Sequence, residues 1–183
     1  MIHFVGAGPG AADLITMRGH QLLTQADVII YAGSLVNPEL LQYAKESCSI
    51  YNSASMTLEE VIDVMKQAEE KNQLTVRLHT GDPSLYGAIR EQMDQLDAYN
   101  ITYDVVPGVS SFCGAAAALK AEYTLPNVSQ SVIITRMAGR TPVPEKEEIA
   151  LLAAHQATMV IFLSTGMLLS LIHISEPTRL GMI

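Results

Sequence analysis

Three short segments rich in glycine, proline and small polar residues have the clearest chemical potential in this 183-residue sequence. They are residues 6–10 (Gly-Ala-Gly-Pro-Gly), 79–83 (His-Thr-Gly-Asp-Pro) and 107–111 (Pro-Gly-Val-Ser-Ser). Each follows a short, largely apolar run that is typical of a buried strand. Glycine lets a ligand approach the backbone closely, and uncovered N–H groups then act as hydrogen-bond donors. One such segment could be an ordinary tight turn, but three together favour a small-molecule cleft.

Few side chains in these segments are suited to acid–base or nucleophilic catalysis. Asp82 could cap a following helix or form a wall of a cofactor pocket, and these two roles are compatible. His79 is interpreted as a polar residue at the rim of the cleft, since a lone histidine does not indicate a metal site. Ser110 and Ser111 lack the G-x-S-x-G context of a nucleophilic serine, so we expect them to cap a helix or to hydrogen-bond a ligand.

A dinucleotide site is the obvious alternative for the first segment, but its details argue against it. The spacing is G-x-G-x-G, and Pro9 removes an N–H group that a pyrophosphate would require. Asp27 stands at the start of the second predicted strand, whereas a nicotinamide site needs an acidic residue at its end. No Gly-Lys-Ser/Thr sequence occurs, which excludes a phosphate-binding P-loop.

Arginines are candidates for holding the carboxylates of a substrate, because a guanidinium can form two parallel hydrogen bonds to a carboxylate. Arg77, Arg90, Arg136 and Arg140 stand out among the few basic residues. We interpret Arg90, in the middle of a predicted helix, as an ordinary surface charge. Arg136 and Arg140 flank a glycine-containing loop after a strand and are the better candidates.

Short β-branched runs alternate with longer helical patterns, and this order predicts the elements that position the three segments. Residue 57 begins a capping box with Glu60, which marks the start of one helix. Alternating strands and helices are typical of a parallel, doubly wound α/β sheet with helices on both faces. The predicted strands are 2–5, 27–31, 49–51, 74–78, 101–106, 131–135 and 158–163, and the predicted helices are 14–25, 38–45, 57–71, 84–96, 112–120 and 145–155.

The same pattern predicts the domain organisation. Residues 1–125 form an N-terminal α/β domain, and residues 126–168 form the start of a second α/β domain that does not finish. Residues 169–183 are expected to be a non-native tail, because the string at 169–179 resembles the translation of a sequencing adaptor.

Composition excludes several classes of partner. The chain has 11 Lys plus Arg against 19 Asp plus Glu, a net charge of −8, which disfavours nucleic acids and anionic membranes. Two cysteines form neither a disulfide framework nor a metal cluster. With no signal peptide or long apolar run, the sequence predicts a cytoplasmic protein without a bound metal.

Four motifs together resemble the tetrapyrrole (corrin and porphyrin) methyltransferases. They are Val-Gly-Ala-Gly-Pro-Gly at 5–10, Tyr-Ala-Gly-Ser-Leu-Val at 31–36, His-Thr-Gly-Asp-Pro-Ser-Leu-Tyr-Gly-Ala-Ile at 79–89 and Val-Pro-Gly-Val-Ser-Ser at 106–111. Residues 135–145, Thr-Arg-Met-Ala-Gly-Arg-Thr-Pro-Val-Pro-Glu, resemble the branch that methylates C11 of precorrin-4 or its cobalt form. The resemblance covers about residues 1–168.

This resemblance implies a two-domain α/β enzyme of cobalamin biosynthesis, a homodimer that uses S-adenosylmethionine and a tetrapyrrole substrate. It assigns no catalytic residue, because a sulfonium methyl group needs no protein nucleophile. A chain that stops within the second domain could instead bind nucleoside or tetrapyrrole without catalysis; a nicotinamide-dependent oxidoreductase is the weaker alternative. The implied cofactor contacts are Pro9, Gly81, Asp82, Leu85, Ser110, Ser111 and Leu163, and the candidate substrate contacts are His79, Arg136 and Arg140.

Overall fold

The computed structural model describes residues 1–139 and 141–175. The chain divides into two compact units, Met1–Ala117 and a second unit that begins at Ala118. The sequence-based boundary after residue 125 and the non-native character of the tail stay predictions. The strands are β1 (Ile2–Gly6), β2 (Val28–Tyr31), β3 (Ser49–Asn52), β4 (Thr75–His79), β5 (Tyr103–Val106), β6 (Val132–Arg136) and β7 (Thr158–Phe162), and the α-helices are α1 (Met17–Gln25), α2 (Leu58–Glu70), α3 (Arg90–Ala98), α4 (Ser111–Leu119), α5 (Ile149–Ala153) and α6 (Leu168–Ser175).

The first unit is built on a five-stranded sheet in the order β3-β2-β4-β1-β5. All four strand pairings are parallel, which confirms the predicted class. Strands β1 and β4 are neighbours, but the chain after β1 crosses β4 to reach β2, whereas the chain after β4 crosses β1 to reach β5. Connections that diverge from two adjacent strands open a crevice at the carboxyl ends of those strands.

Apolar side chains cover both faces of this sheet, as a doubly wound sheet requires. Strands β1 and β4 are buried along their whole length, and β4 also buries the polar side chains of Thr75, Arg77 and His79. On one face Val5 and Leu78 pack with Leu23 of α1. On the other, Phe4 and Ile30 belong to the layer that α2 and α3 complete; its helical members are Val61, Ile62, Met65, Ala68 and Leu96.

The capping box predicted for α2 is confirmed. The N–H of Glu60 donates to the hydroxyl of Thr57 at 3.3 Å, and the N–H of Thr57 donates to the carboxylate of Glu60 at 2.8 Å. These two bonds satisfy donors that the first turn of a helix leaves unpaired.

The helix predicted over residues 84–96 begins six residues later, at Arg90. Tyr86 (φ 56°) and Ala88 (φ 51°) adopt left-handed backbone conformations, which interrupt any helix. Gly87 lies against the preceding turn, where a Cβ would stand 2.2 Å from the carbonyl oxygen of Pro83. The helical spacing of apolar residues was therefore misleading over this segment.

Three other predicted helices are shorter or tighter than expected. In place of the helix predicted over 14–25, a 3-10 turn at Ala12–Leu14 ends where that helix was expected to begin and α1 starts at Met17, and 38–45 is a 3-10 helix at Pro38–Tyr43. The segment 145–155 contains a 3-10 turn at Glu145–Glu147 followed by α5. Short 3-10 pieces of this kind are common as connectors and at helix ends.

The second unit contains a parallel pair formed by β6 and β7. Ser164 is buried and ties the two strand ends together, because its hydroxyl accepts from the N–H of Met137 at 3.1 Å and donates to the carbonyl of Phe162 at 2.7 Å. Among the described residues of the chain, no helix is long and apolar enough to cross a membrane.

Candidate functional site

The three glycine-containing segments lie at one edge of the first sheet. They follow β1, β4 and β5, which stand side by side in the order β4-β1-β5. We call residues 6–10, 79–83 and 107–111 the first, second and third loops. Because parallel strands end at the same edge, all three loops border the crevice between β1 and β4.

Backbone hydrogen bonds join the first and second loops. The N–H of Ala7 donates to the carbonyl of His79 at 2.7 Å. Gly8 and Gly81 exchange two bonds, of 3.3 Å from the N–H of Gly8 and 2.9 Å from the N–H of Gly81. The two loops therefore form a short antiparallel bridge beyond the parallel sheet.

The glycines of the loops are required by close packing between the loops themselves. A Cβ on Gly108 would lie 2.1 Å from the carbonyl oxygen of Gly81, and a Cβ on Gly6 would lie 2.5 Å from the Cα of Gly108. Gly81 also has a φ of +62°, a conformation that strongly favours glycine. The small residues that suggested a ligand site are therefore needed, in the first place, for the backbones of the three loops to pack against one another.

Asp82 connects the second loop to the third. One carboxylate oxygen accepts from the N–H of Gly108 at 2.9 Å, and the other accepts from the N–H of Ser84 at 2.8 Å and from the Ser84 hydroxyl. Burial acts to raise the pKa of Asp82, but the bonds from Ser84 and Gly108 outweigh it and the pKa is lowered. Asp82 stays ionised near neutral pH and acts here as a structural acceptor.

Ser110 and Ser111 stand at the start of α4. Ser110 is buried, and its carbonyl accepts from the N–H groups of Cys113 at 3.0 Å and Gly114 at 3.3 Å. Ser111 is exposed and is the first residue of the helix. The first N–H groups of a helix have no partner four residues back, so this end offers donors and a partial positive charge.

Pro9 and Leu85 supply apolar surface to the same edge of the sheet. Pro9 is half-buried, and a Cβ on Gly114 of α4 would lie 2.6 Å from its Cβ. Leu85 is half-buried in the turn after Asp82, where its N–H donates to the Asp82 carbonyl at 3.2 Å. Six of the seven predicted cofactor residues therefore belong to the first unit and lie on the three loops or directly after them.

His79 is buried, so its expected position at the rim was wrong. Only 4% of the residue is exposed, and its ring stacks on Phe4 with 6.0 Å between ring centroids. Within the described part of the chain, its Nε2 has no hydrogen-bond partner. Burial, with a smaller effect of the nearby Arg77 charge, lowers the pKa of His79 to about 3, so the ring is neutral. Its role in substrate binding stays a prediction.

Arg77, one of the four arginines that stood out in the sequence, forms a buried polar pair with Gln92, a residue that sequence reasoning missed. The Arg77 Nε donates to the Gln92 side-chain oxygen at 3.0 Å, and another guanidinium nitrogen donates to the carbonyl of Ile30 at 3.1 Å. Burial lowers the pKa of Arg77 to about 10, which still leaves it charged at neutral pH. The available signal was a charged residue in the middle of a predicted buried strand, together with a glutamine four residues before the buried Leu96.

The second unit carries the remaining predicted residues. Arg136, at the end of β6, donates to the carbonyls of Met137 at 3.2 Å, Thr141 at 3.0 Å and Pro142 at 2.8 Å. Its guanidinium therefore orders the loop that follows its own strand. Leu163 directly follows β7, is 72% exposed and has a left-handed φ of 55°. Arg140 lies outside the described residues.

The arrangement in the first unit can bind a ligand chiefly through the backbone and a helix start. In the described ranges, no group of three or more histidine, cysteine, aspartate or glutamate side chains could hold a metal ion. Backbone donors and a helix start are suited to orienting a ligand that carries its own reactive group.

Comparison with known proteins places this geometry in a family. The sequence profile of the Tetrapyrrole (Corrin/Porphyrin) Methylases matches residues 1–175. The chain belongs to this family, and its sheet with three glycine-containing loops is the tetrapyrrole methylase fold.

Individual members of the family show a more specific similarity. The chain is 60% identical to the cobalt-precorrin-4 C(11)-methyltransferase of Methanocaldococcus jannaschii, over 90% of this chain and 63% of that protein. It is 47% identical to the enzyme of the same name from Priestia megaterium, over 89% of this chain and 63% of that protein. A solved structure of a cobalt precorrin-4 methyltransferase, described as a cobalamin biosynthetic enzyme, superimposes with a TM-score of 0.92 at 44% identity, covering 95% of this chain and 73% of that one. The chain thus spans slightly under two thirds of these two curated relatives.

Proposed function

We propose that this chain is part of an S-adenosylmethionine-dependent methyltransferase that methylates C11 of precorrin-4 or of cobalt-precorrin-4. The observation that carries the proposal is the set of three interlocked loops at one edge of the sheet, in a chain 60% identical to a protein named for that reaction. The fold supports a ligand at this edge, because open parallel sheets bind ligands beyond the carboxyl ends of their strands.

The residues present fit a sulfonium nucleoside. The start of α4 at Ser111 offers N–H donors and a partial positive charge suited to a carboxylate. Pro9 and Leu85 offer apolar surface for a flat base, and the backbones of Gly81 and Ser110 approach each other closely: a Cβ on Gly81 would lie 3.5 Å from the Ser110 Cα. No nucleophilic or basic side chain is needed for these contacts.

S-adenosylmethionine supplies an activated methyl group when bound, so the protein's task is to bring two reactants into line. The loops hold the nucleoside by the main chain, and Asp82 keeps the second and third loops in register. A fixed orientation of two bound reactants can itself account for much of the rate acceleration of such a transfer. Exclusion of water from the crevice adds to the effect.

The substrate proposed is a tetrapyrrole with many carboxylates, for which Arg136 and Arg140 are the proposed contacts. Arg136 also donates hydrogen bonds to the carbonyls of Met137, Thr141 and Pro142, so it positions these residues beside the substrate that it contacts. We also propose that the whole enzyme is a cytoplasmic homodimer. Light scattering at several concentrations would test the dimer, and a monomer throughout would contradict it.

Binding without methyl transfer is the second candidate function, because the chain spans only 63% of its first curated relatives. Transfer of a radiolabelled methyl group from S-adenosylmethionine to precorrin-4 separates the two. Incorporation of label supports the enzyme, whereas nucleoside binding with no label in the tetrapyrrole supports the binding module.

The direct test of the nucleoside site is calorimetric titration of S-adenosylhomocysteine and, separately, NAD into this chain. We expect S-adenosylhomocysteine to bind and NAD not to bind. In the variant Ser111→Glu, a carboxylate at the helix start repels the carboxylate group of S-adenosylhomocysteine but suits the helix dipole, so the fold is retained. We expect it to weaken S-adenosylhomocysteine binding at least about tenfold, about 1.4 kcal/mol.

Ser47→Glu is the matched control, since Ser47 is an exposed residue of the same unit in the turn before β3. It should bind S-adenosylhomocysteine as the parent chain does. Equal affinity of the parent and Ser111→Glu would exclude the start of α4 as part of the site, and tighter binding of NAD would overturn the proposed cofactor.

A further inference from the structure

A chain of hydrogen bonds that is buried at Arg77 and Gln92 connects the middle of the sheet to the segment 84–89, which follows the second loop. Arg77 of β4 donates to the side-chain oxygen of Gln92 at 3.0 Å and to the carbonyl of Ile30 at 3.1 Å. The side-chain nitrogen of Gln92 then donates to the carbonyl of Ala88 at 3.2 Å. The backbone at Ala88 is thereby tied through two side chains to strands β4 and β2.

The segment 84–89 needs such an anchor because its backbone is strained. Tyr86 and Ala88 both have left-handed φ values, 56° and 51°, which residues with a Cβ rarely adopt. Strained conformations persist only where the surrounding structure holds them, and they cluster at ligand-binding sites. Leu85, one of the proposed nucleoside contacts, lies in the same segment.

The chemistry of the pair points to positioning rather than to core stability. Arg77 and Gln92 are each 6% exposed, and within the described residues the guanidinium donates to an amide oxygen and a backbone carbonyl. Burying a cation without a carboxylate is costly, and a well-packed apolar pair would fill the same space at least as stably. A planar guanidinium and an amide form directional hydrogen bonds, however, and these fix the orientation of the groups they contact, which an apolar pair cannot do.

We propose that Gln92, oriented by Arg77, is a positioning residue that holds segment 84–89 in the conformation that binds the nucleoside. This inference rests on the proposed function, because Leu85 contacts the nucleoside only under that proposal. Gln92 itself touches no ligand. A looser segment spends less time in the binding conformation, and the apparent affinity falls by that fraction.

The variant Gln92→Glu tests this link specifically. A glutamate keeps an acceptor for Arg77 and adds an opposite charge, but it has no N–H to donate to the Ala88 carbonyl. Gln95→Glu is the matched control, because Gln95 is an exposed residue of the same helix and the change in charge is the same. Three properties are measured for each protein: thermal stability, amide hydrogen exchange of residues 84–89 and the dissociation constant for S-adenosylhomocysteine.

In Gln92→Glu we expect the amides of residues 84–89 to exchange at least about tenfold faster than in the control. We also expect S-adenosylhomocysteine to bind about tenfold more weakly, while the melting temperature equals that of the control. A purely structural role would lower the melting temperature and speed exchange throughout the first unit. Unchanged exchange in 84–89 would show that Gln92 does not hold the segment. Faster exchange with parental affinity would show that the segment's order does not matter for the ligand.

The experiment also distinguishes failure of the proposed function, and failure of a variant to fold, from failure of the positioning role. If the parent chain binds no S-adenosylhomocysteine, the proposed function fails and the nucleoside role of Gln92 fails with it, while the exchange data still show whether Gln92 orders the segment. If Gln92→Glu does not fold, Gln92→Asn keeps the neutral amide one methylene shorter and takes its place. Failure of both variants to fold would make Gln92 a core residue and overturn the positioning role.

Discussion

Acid should destabilise the first unit through one residue, His79. The ring is enclosed beside Phe4, its Nε2 lacks a partner in the described part of the chain, and the Arg77 charge lies nearby. All three conditions oppose a second proton on the ring. The unfolded chain, by contrast, exposes the same ring to water and protonates it readily.

The size of the effect follows from the two pKa values. The pKa of His79 is 6.5 in the unfolded chain and about 3 in the folded protein, so the unfolded state alone binds this proton between those values. Stability therefore falls as the pH decreases through that window. At pH 5 the unfolded state gains about 2 kcal/mol relative to pH 7 from this one residue, at about 1.36 kcal/mol for each pKa unit.

The measurement is the free energy of unfolding by urea, followed by circular dichroism, at pH 7, 6 and 5. His79→Phe keeps an aromatic ring beside Phe4 but cannot titrate, so its decrease between pH 7 and 5 should be smaller than the parent's by about 2 kcal/mol. Met17→Phe, at an exposed position of the same unit, changes no titratable group and should keep the parental pH dependence. A His79→Phe profile parallel to that of the parent would refute the reasoning, whatever the absolute stability of the variant.

Two further substitutions test the contact between the second and third loops and the capping box at the start of α2. Gly108→Ala places a Cβ 2.1 Å from the carbonyl oxygen of Gly81, so we expect a loss of about 1–3 kcal/mol in unfolding free energy and much weaker S-adenosylhomocysteine binding. Gly139→Ala meets no atom within 4 Å and should match the parent in both measurements. Thr57→Ala removes the hydroxyl that caps α2 and should cost about 1 kcal/mol in urea unfolding, whereas Thr57→Ser should restore it; equal stability of the two would contradict the role of the capping box.

The sequence predicted the sheet well because its signals are local. Buried apolar runs, the capping box at Thr57 and a small-residue turn after each central strand are all properties of a few adjacent residues. The start of α3 could not be predicted in the same way. Residues 84–89 have helical spacing, but contacts of Gly87 with Pro83 and the left-handed backbone at Tyr86 come from tertiary packing.

Burial of His79 shows where the prediction of the site failed. From the sequence alone, a histidine at the junction of a strand and a glycine-containing loop could equally be the last buried residue of the strand or the first exposed residue of the loop. The parallel register decides between them, since His79 pairs with Gly6, the last residue of β1. A glycine has no side chain to fill the space above it, so the ring remains within the sheet and packs against Phe4.

The glycines of the loops show why a motif alone cannot separate folding from binding. Gly108 is explained by the carbonyl of Gly81 2.1 Å from its hypothetical Cβ, which is a contact between loops. Gly10 meets nothing within 4 Å, and its φ of +124° is the only feature that requires a glycine. Asp82 likewise serves contacts between the loops, because its carboxylate accepts hydrogen bonds from Ser84 and Gly108. Any specificity for a nucleoside must then come from where these residues hold the backbone, so that substitutions at loop contacts should affect affinity even when they touch no ligand.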